Sequence, residues 1–155
     1  TTFDNKPVSS ALITEEEQTN RKERMQQICR VCHSRQWTTD HFTALDRVNR
    51  STNRRTLTAT KIVQKAWSRG LADGPGSAGN PFDEGIEKLW VRQWLFYANS
   101  TRLSAAMAGA DYGVFANGRW WLADNLRQLE DKWELLKVLT PESHVDSTSM
   151  EEKGI

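Results

Sequence analysis

Leu122-Ala123-Asp124-Asn125-Leu126-Arg127-Gln128-Leu129-Glu130-Asp131-Lys132-Trp133-Glu134-Leu135-Leu136 sets Leu122, Leu126, Leu129, Trp133 and Leu136 in steps of four and three. That alternation draws one apolar stripe down a helix, the seam of a helix packed along another helix. Pro141 sets the limit of this segment, because proline cannot continue a helix interior.

The same period recurs on the amino-terminal side. Gly109 to Gly118 interrupts the chain, and before it a helix carries Leu89, Trp90, Trp94, Leu95, Leu103 and Met107. Its aromatic density points to burial, with ordinary core packing preferred over a cofactor lining. Asn80-Pro81 reads as its start, with asparagine as N-cap and proline at the first helical position. Gly74-Pro75-Gly76-Ser77-Ala78-Gly79 is the clearest break in the chain. Ahead of it a helix from about Thr39 to Gly70 carries Phe42, Leu45 and Val48, then Ile62, Val63, Ala66 and Trp67. The polar, basic run from Asn49 to Thr56 marks a place where this helix is exposed or bent; Arg50, Arg54 and Arg55 read there as contacts to haem propionates or, preferred, as a solvated face. Thr14 and Glu17 have capping-box spacing and open a first helix that runs to about Ser34. Residues 1–36 are a lead-in and attachment helix, 37–139 a long-helix bundle and 140–155 a polar tail. No strand candidate stands out, and the fold class is all-α.

Within the first helix lies Cys29-Arg30-Val31-Cys32-His33. Cysteines at i and i+3 share one face of a helical turn, from which two thiols reach the two vinyl groups of one haem. The following histidine supplies an imidazole nitrogen to the iron, and C-x-x-C-H reads as c-type haem attachment. A zinc site needs four ligands, yet His41 and His144 are the other histidines and no second cysteine pair exists. A redox C-x-x-C motif belongs in a βαβ setting, which the flanks here do not offer. A disulfide would close a very small ring and leave His33 without a role. The bundle therefore carries one c-type haem near its amino-terminal end.

The 155 residues fit one domain or part of a larger protein. A net charge of +1 gives no case for nucleic acid or an anionic membrane surface. No apolar run approaches the roughly 20 residues of a membrane span. No cleavable signal peptide opens the chain, so Thr1 reads as a processed or truncated start. Haem attachment by this motif implies an extracytoplasmic, periplasm-like compartment.

Cys-Arg-Val-Cys-His-Ser at 29–34, Phe82-Asp83-Glu84-Gly85-Ile86-Glu87 with Trp90 and Trp94, and Gly109-Ala110-Asp111-Tyr112-Gly113 with Gly118-Arg119-Trp120 together resemble the C-terminal part of hydroxylamine oxidoreductase, an octahaem cytochrome c family. The resemblance covers about Met25 to Leu136. It implies a trimer in which hydroxylamine or hydrazine is oxidised at a modified haem and electrons leave through other haems to a redox partner cytochrome. It also implies a tyrosine bonded covalently to the neighbouring subunit's catalytic haem. That role is carried to Tyr112, in a glycine-flanked turn, with Tyr97 as the second candidate; a structural Tyr112 stays open. The chain departs from the family in holding a single haem motif. Other haem-binding segments, from the rest of a longer enzyme or from partner subunits, would have to complete it.

His33 and His41 stand eight residues apart, about two turns on one helix side; if the helix continues through Trp37, they cannot grip opposite faces of the same haem. His41 either ligates iron in a neighbouring haem or is an ordinary, partly exposed histidine; His144 is a weak candidate, and Met25 and Met107 read as core. Two further readings stand beside the oxidoreductase: a stand-alone monohaem electron carrier and a haem-bearing structural subunit.

Overall fold

A computed structural model describes residues 13–75, 80, 82–109 and 114–140, and every regular element among them is helical. Four helices follow one another: α1 (Glu15–Cys29), α2 (Arg35–Ser68), α3 (85–108) and α4 (115–139). None of the described helices is long and apolar enough to cross a membrane.

Thr14 caps α1 through its hydroxyl, which accepts from the Glu17 amide at 3.1 Å, while the Glu17 carboxylate turns outward to Arg21 at 2.6 Å. The helix ends at Cys29, five residues short of the expected Ser34. Ser34 itself explains the difference. Its hydroxyl accepts from the Trp37 amide at 3.1 Å, so Ser34 is the N-cap of α2 and cannot also be the body of α1.

α2 then runs 34 residues without interruption, about 50 Å at 1.5 Å per residue. The polar stretch 49–56 is neither bent out nor wholly exposed. Thr52 is fully buried, and the Thr56 and Thr60 hydroxyls bond back to carbonyls one turn earlier, hiding their polarity inside the helix. Arg50 and Arg54 do face solvent; Arg55 reaches the Arg119 carbonyl at 3.5 Å. At the far end, Gly70 takes φ 65°, and the Leu71 and Gly70 amides bond back to Ala66 and Trp67. This is a Schellman stop, and Leu71 folds onto the core as that motif's apolar contact.

α3 starts later than Asn80-Pro81 implies. The Asn80 side chain accepts from the Phe82 amide in a local turn, and Glu84 is the true N-cap, in a capping box with Glu87. Glu87 is fully buried and does more than cap. Its Oε1 accepts from Trp67 Nε1 at 2.6 Å and from the Gly74 amide at 3.3 Å. Asp83, Glu84 and Glu87 lie within 4.8 Å of one another, and burial, with the Glu87 charge adding to it, pushes the Glu84 carboxyl up. Glu87→Ala removes the carboxylate that accepts from both the Trp67 indole and the Gly74 amide. It should cost about 3 kcal/mol, while Glu87→Gln, which keeps an acceptor, loses less. Urea unfolding of the native protein checks this ordering.

Both α3 and α4 contain a π turn. In α3 the segment Arg92–Tyr97 widens the helix, with the Ala98 amide reaching Gln93. In α4 the first turn, Phe115–Arg119, does the same, with the Trp120 amide reaching Phe115. Side-chain hydrogen bonds cluster around these turns: Asn99 donates to the Leu95 carbonyl, Thr101 to Tyr97, Gln93 to Leu122 and Asn125 to Leu89.

The core lies where α2, α3 and α4 meet. Ala59, Val63, Ala66, Ile86, Trp90 and Leu129 form its centre, with Leu126, Trp133 and Leu136 packed around it. The seam of α4 is thus the inner face, and Trp90 is a core residue whose indole donates to Thr60 at 3.0 Å. A second cluster of Val48, Ala105 and Val114 closes the other end. Leu95, Leu103 and Met107 do not join either cluster; they line the outer face of α3, and Met107 is 86% exposed. Met25 is likewise 52% exposed, because α1 buries no residue.

Candidate haem-attachment site

The C-x-x-C-H stretch occupies the corner between α1 and α2. Cys29 is the last residue of α1. Beyond it the Val31 amide bonds to Ile28, Cys32 to Cys29 at 3.2 Å, and His33 to Cys29 at 2.9 Å. These bonds curl residues 29–33 into one tight turn, which keeps both cysteines and the histidine together. Both thiols are free, Cys29 partly exposed and Cys32 exposed. His33 is exposed as well.

The surroundings suit a large flat apolar group. Ile28 and Val31 are exposed beside the thiols, Val31 at 82%, and Trp37 is 44% exposed. Three uncovered apolar side chains next to two free thiols and an imidazole form a patch that gains from cover. The donor set of two thiols and one histidine fits a c-type haem.

Three rings stand in series here. His33 stacks on Trp37 with centroids 3.7 Å apart and planes at 14°, and Trp37 stacks on His41 at 5.1 Å and 4°. His41 in turn meets the buried Phe42 edge-on at 5.4 Å. The indole lies between the two imidazoles, so no single haem can be held between His33 and His41. Trp37 is the site residue that sequence reading passed over. Its signal was available as rings at 37 and 41, four apart on one helix face, with His33 a further four residues ahead.

The corner is not part of the three-helix core. α1 meets α2 through Lys22 Nζ and Asp46 Oδ2 at 2.6 Å, with both side chains about 40% exposed. A pair so exposed contributes about 0.2–1 kcal/mol. Tyr112 and His144 lie outside the described residues. Tyr97 sits in the π turn of α3, partly buried, and stacks on Trp121 at 6.5 Å.

No family model matches the chain, and no curated protein does. Among solved structures, one described as a hypothetical multiheme protein superposes with a TM-score of 0.69 at 36% identity, over 83% of this chain. The chain is related to part of a multihaem protein. It spans 25% of that protein's length, so three quarters of the relative has no counterpart in these 155 residues.

Proposed function

We propose that this chain is the haem-bearing helical region of a multihaem cytochrome c, with a role in electron transfer. The observation that carries the reading is the free thiol pair with its histidine on an exposed corner, in a chain related to a multihaem protein. Haem c bound there supplies one-electron exchange at its iron. The Cys29 and Cys32 thiols would hold the group by adding across its two vinyl groups, sulfur to one carbon and hydrogen to the other, with no oxidant needed. His33 would offer an imidazole nitrogen to the iron, and the exposed Ile28, Val31 and Trp37 would give the group apolar cover. His41, turned away from that position by Trp37, offers its nitrogen to a second haem from outside this chain.

The finer reading follows the hydroxylamine oxidoreductase resemblance. The assembly is a trimer in an extracytoplasmic, periplasm-like compartment, oxidising hydroxylamine or hydrazine and passing electrons to a partner cytochrome. Tyr112 is bonded to the catalytic haem of a neighbouring subunit. A phenol joined to a haem edge distorts the ring, one of the levers by which a protein tunes iron. The exposed stripe of Phe96, Leu103 and Met107 on α3 is consistent with an assembled state, since large apolar patches mark contact surfaces.

Haem content of the native particle tests the main reading. Several haems per copy of this chain are expected; one haem per copy would replace it with the monohaem carrier. For Tyr112, native chains should stay linked in denaturant, and Tyr112→Phe should release them while leaving the haem at Cys29 and Cys32 in place. Clean separation of the unmodified native chains would make Tyr112 a structural residue.

A further inference from the structure

We propose that Trp37 is a positioning residue for two irons at once, holding the His33 and His41 imidazoles parallel as ligands to two different haems. The inference rests on the haem reading above and goes further in naming what orients the ligands.

An imidazole bound through one nitrogen can still turn about the iron–nitrogen bond. Its orientation is set by what its second nitrogen bonds or what its face rests on. His33 lies ahead of the N-cap of α2, exposed and outside the helix, so regular backbone structure does not hold its ring. The indole face 3.7 Å away, with planes within 14°, does. The stack has a fixed base. The Trp37 amide is capped by Ser34, the ring continues into His41, and His41 abuts Phe42, which is buried in the bundle. Orientation is thus passed from the core to His41, Trp37 and His33 in turn.

Core packing does not account for Trp37. Trp90, a core tryptophan of this chain, is 6% exposed and hydrogen-bonded to Thr60, whereas Trp37 is 44% exposed and belongs to neither core cluster. What the indole contacts is a histidine on each side. Because it fills the space between them, the two imidazoles must serve separate irons, and their parallel planes give those irons a common ligand orientation.

The test uses the full holoprotein, with electron paramagnetic resonance and redox titration of the haem on Cys29 and Cys32. Trp37→Ala and Trp37→Leu should keep this haem attached but spread its low-spin ferric signal over several ligand orientations. Both should lower its midpoint potential, because water reaching the ligand favours ferric iron. Trp37→Phe keeps a stacking face and should restore most of the native signal, a rescue that a merely space-filling role would give to leucine equally. His41→Ala should leave the His33 haem intact and convert one other haem of the assembly from low to high spin. Trp37→Ala with an unchanged signal and potential overturns the inference, as does His41→Ala with every low-spin haem retained. A chain that carries no haem at all overturns both this inference and the reading beneath it.

Discussion

Cys32→Ala should retain haem poorly, because one thioether remains at best and any copy in which it fails to form releases its haem when the protein is denatured and extracted. Cys29→Ala should do the same, and the double variant should carry none. The turn explains why the two positions are equivalent. Cys29 closes α1, and the amide of Cys32 bonds back to its carbonyl at 3.2 Å, so neither thiol can be replaced by a neighbour. The described residues hold no other cysteine. The α-band of the alkaline pyridine haemochrome reads the outcome directly, since each lost thioether leaves a vinyl group in conjugation and moves the band to longer wavelength. The helical core should survive, because the corner lies outside both core clusters. Loss of α2–α4 helicity in Cys32→Ala would show that the haem, and not the seam of α4, holds the bundle together.

Gly118→Val should be the most damaging single change in the bundle. A Cβ at this position would lie 2.5 Å from Thr101 Oγ1, 2.7 Å from Thr101 Cα and 2.8 Å from the Thr101 amide nitrogen. Two of those three atoms are backbone and cannot rotate away. Here the π turn of α4 crosses α3 with no room between main chains. Even Gly118→Ala should cost about 1–3 kcal/mol, the range for overpacking, and valine more. Thr101→Ala should not rescue it, because the backbone contacts remain. Thermal unfolding of the native protein decides the matter. A Gly118→Ala variant that melts with the wild type would mean that α3 and α4 separate at no cost.

The helices were legible in the sequence because apolar residues on a buried stripe recur with the helical period. Leu122, Leu129 and Trp90 sit where that period puts them. Both π turns were hidden, since one residue inserted into a turn leaves the composition unchanged and only shifts the later positions around the axis. That shift accompanies the exposure of Leu95, Leu103 and Met107, which a single unbroken stripe would have buried. The boundaries were missed where two caps compete. Ser34 and Glu84 each outweigh a plausible alternative through hydrogen bonds that only the folded chain reveals. Thr52 and Glu87 look like surface residues in sequence and are fully buried, the first surrounded by back-bonded threonine turns, the second holding Trp67 and Gly74. At the corner, the motif itself announced the thiols and His33. The spacing of 33, 37 and 41 carried a signal for the indole between two histidines, but the stacking itself belongs to the folded corner, where α2 starts at Arg35.

The central claim is that this chain holds haem covalently through Cys29 and Cys32. Its most direct measurement is the intact mass of the chain from the native complex after full denaturation. The account predicts that the chain released by Tyr112→Phe is heavier than the bare polypeptide by one haem and the native chain by at least that much, in the absence of any metal other than iron. A denatured chain with the mass of the polypeptide alone, or one that retains zinc at the two thiols, would contradict it.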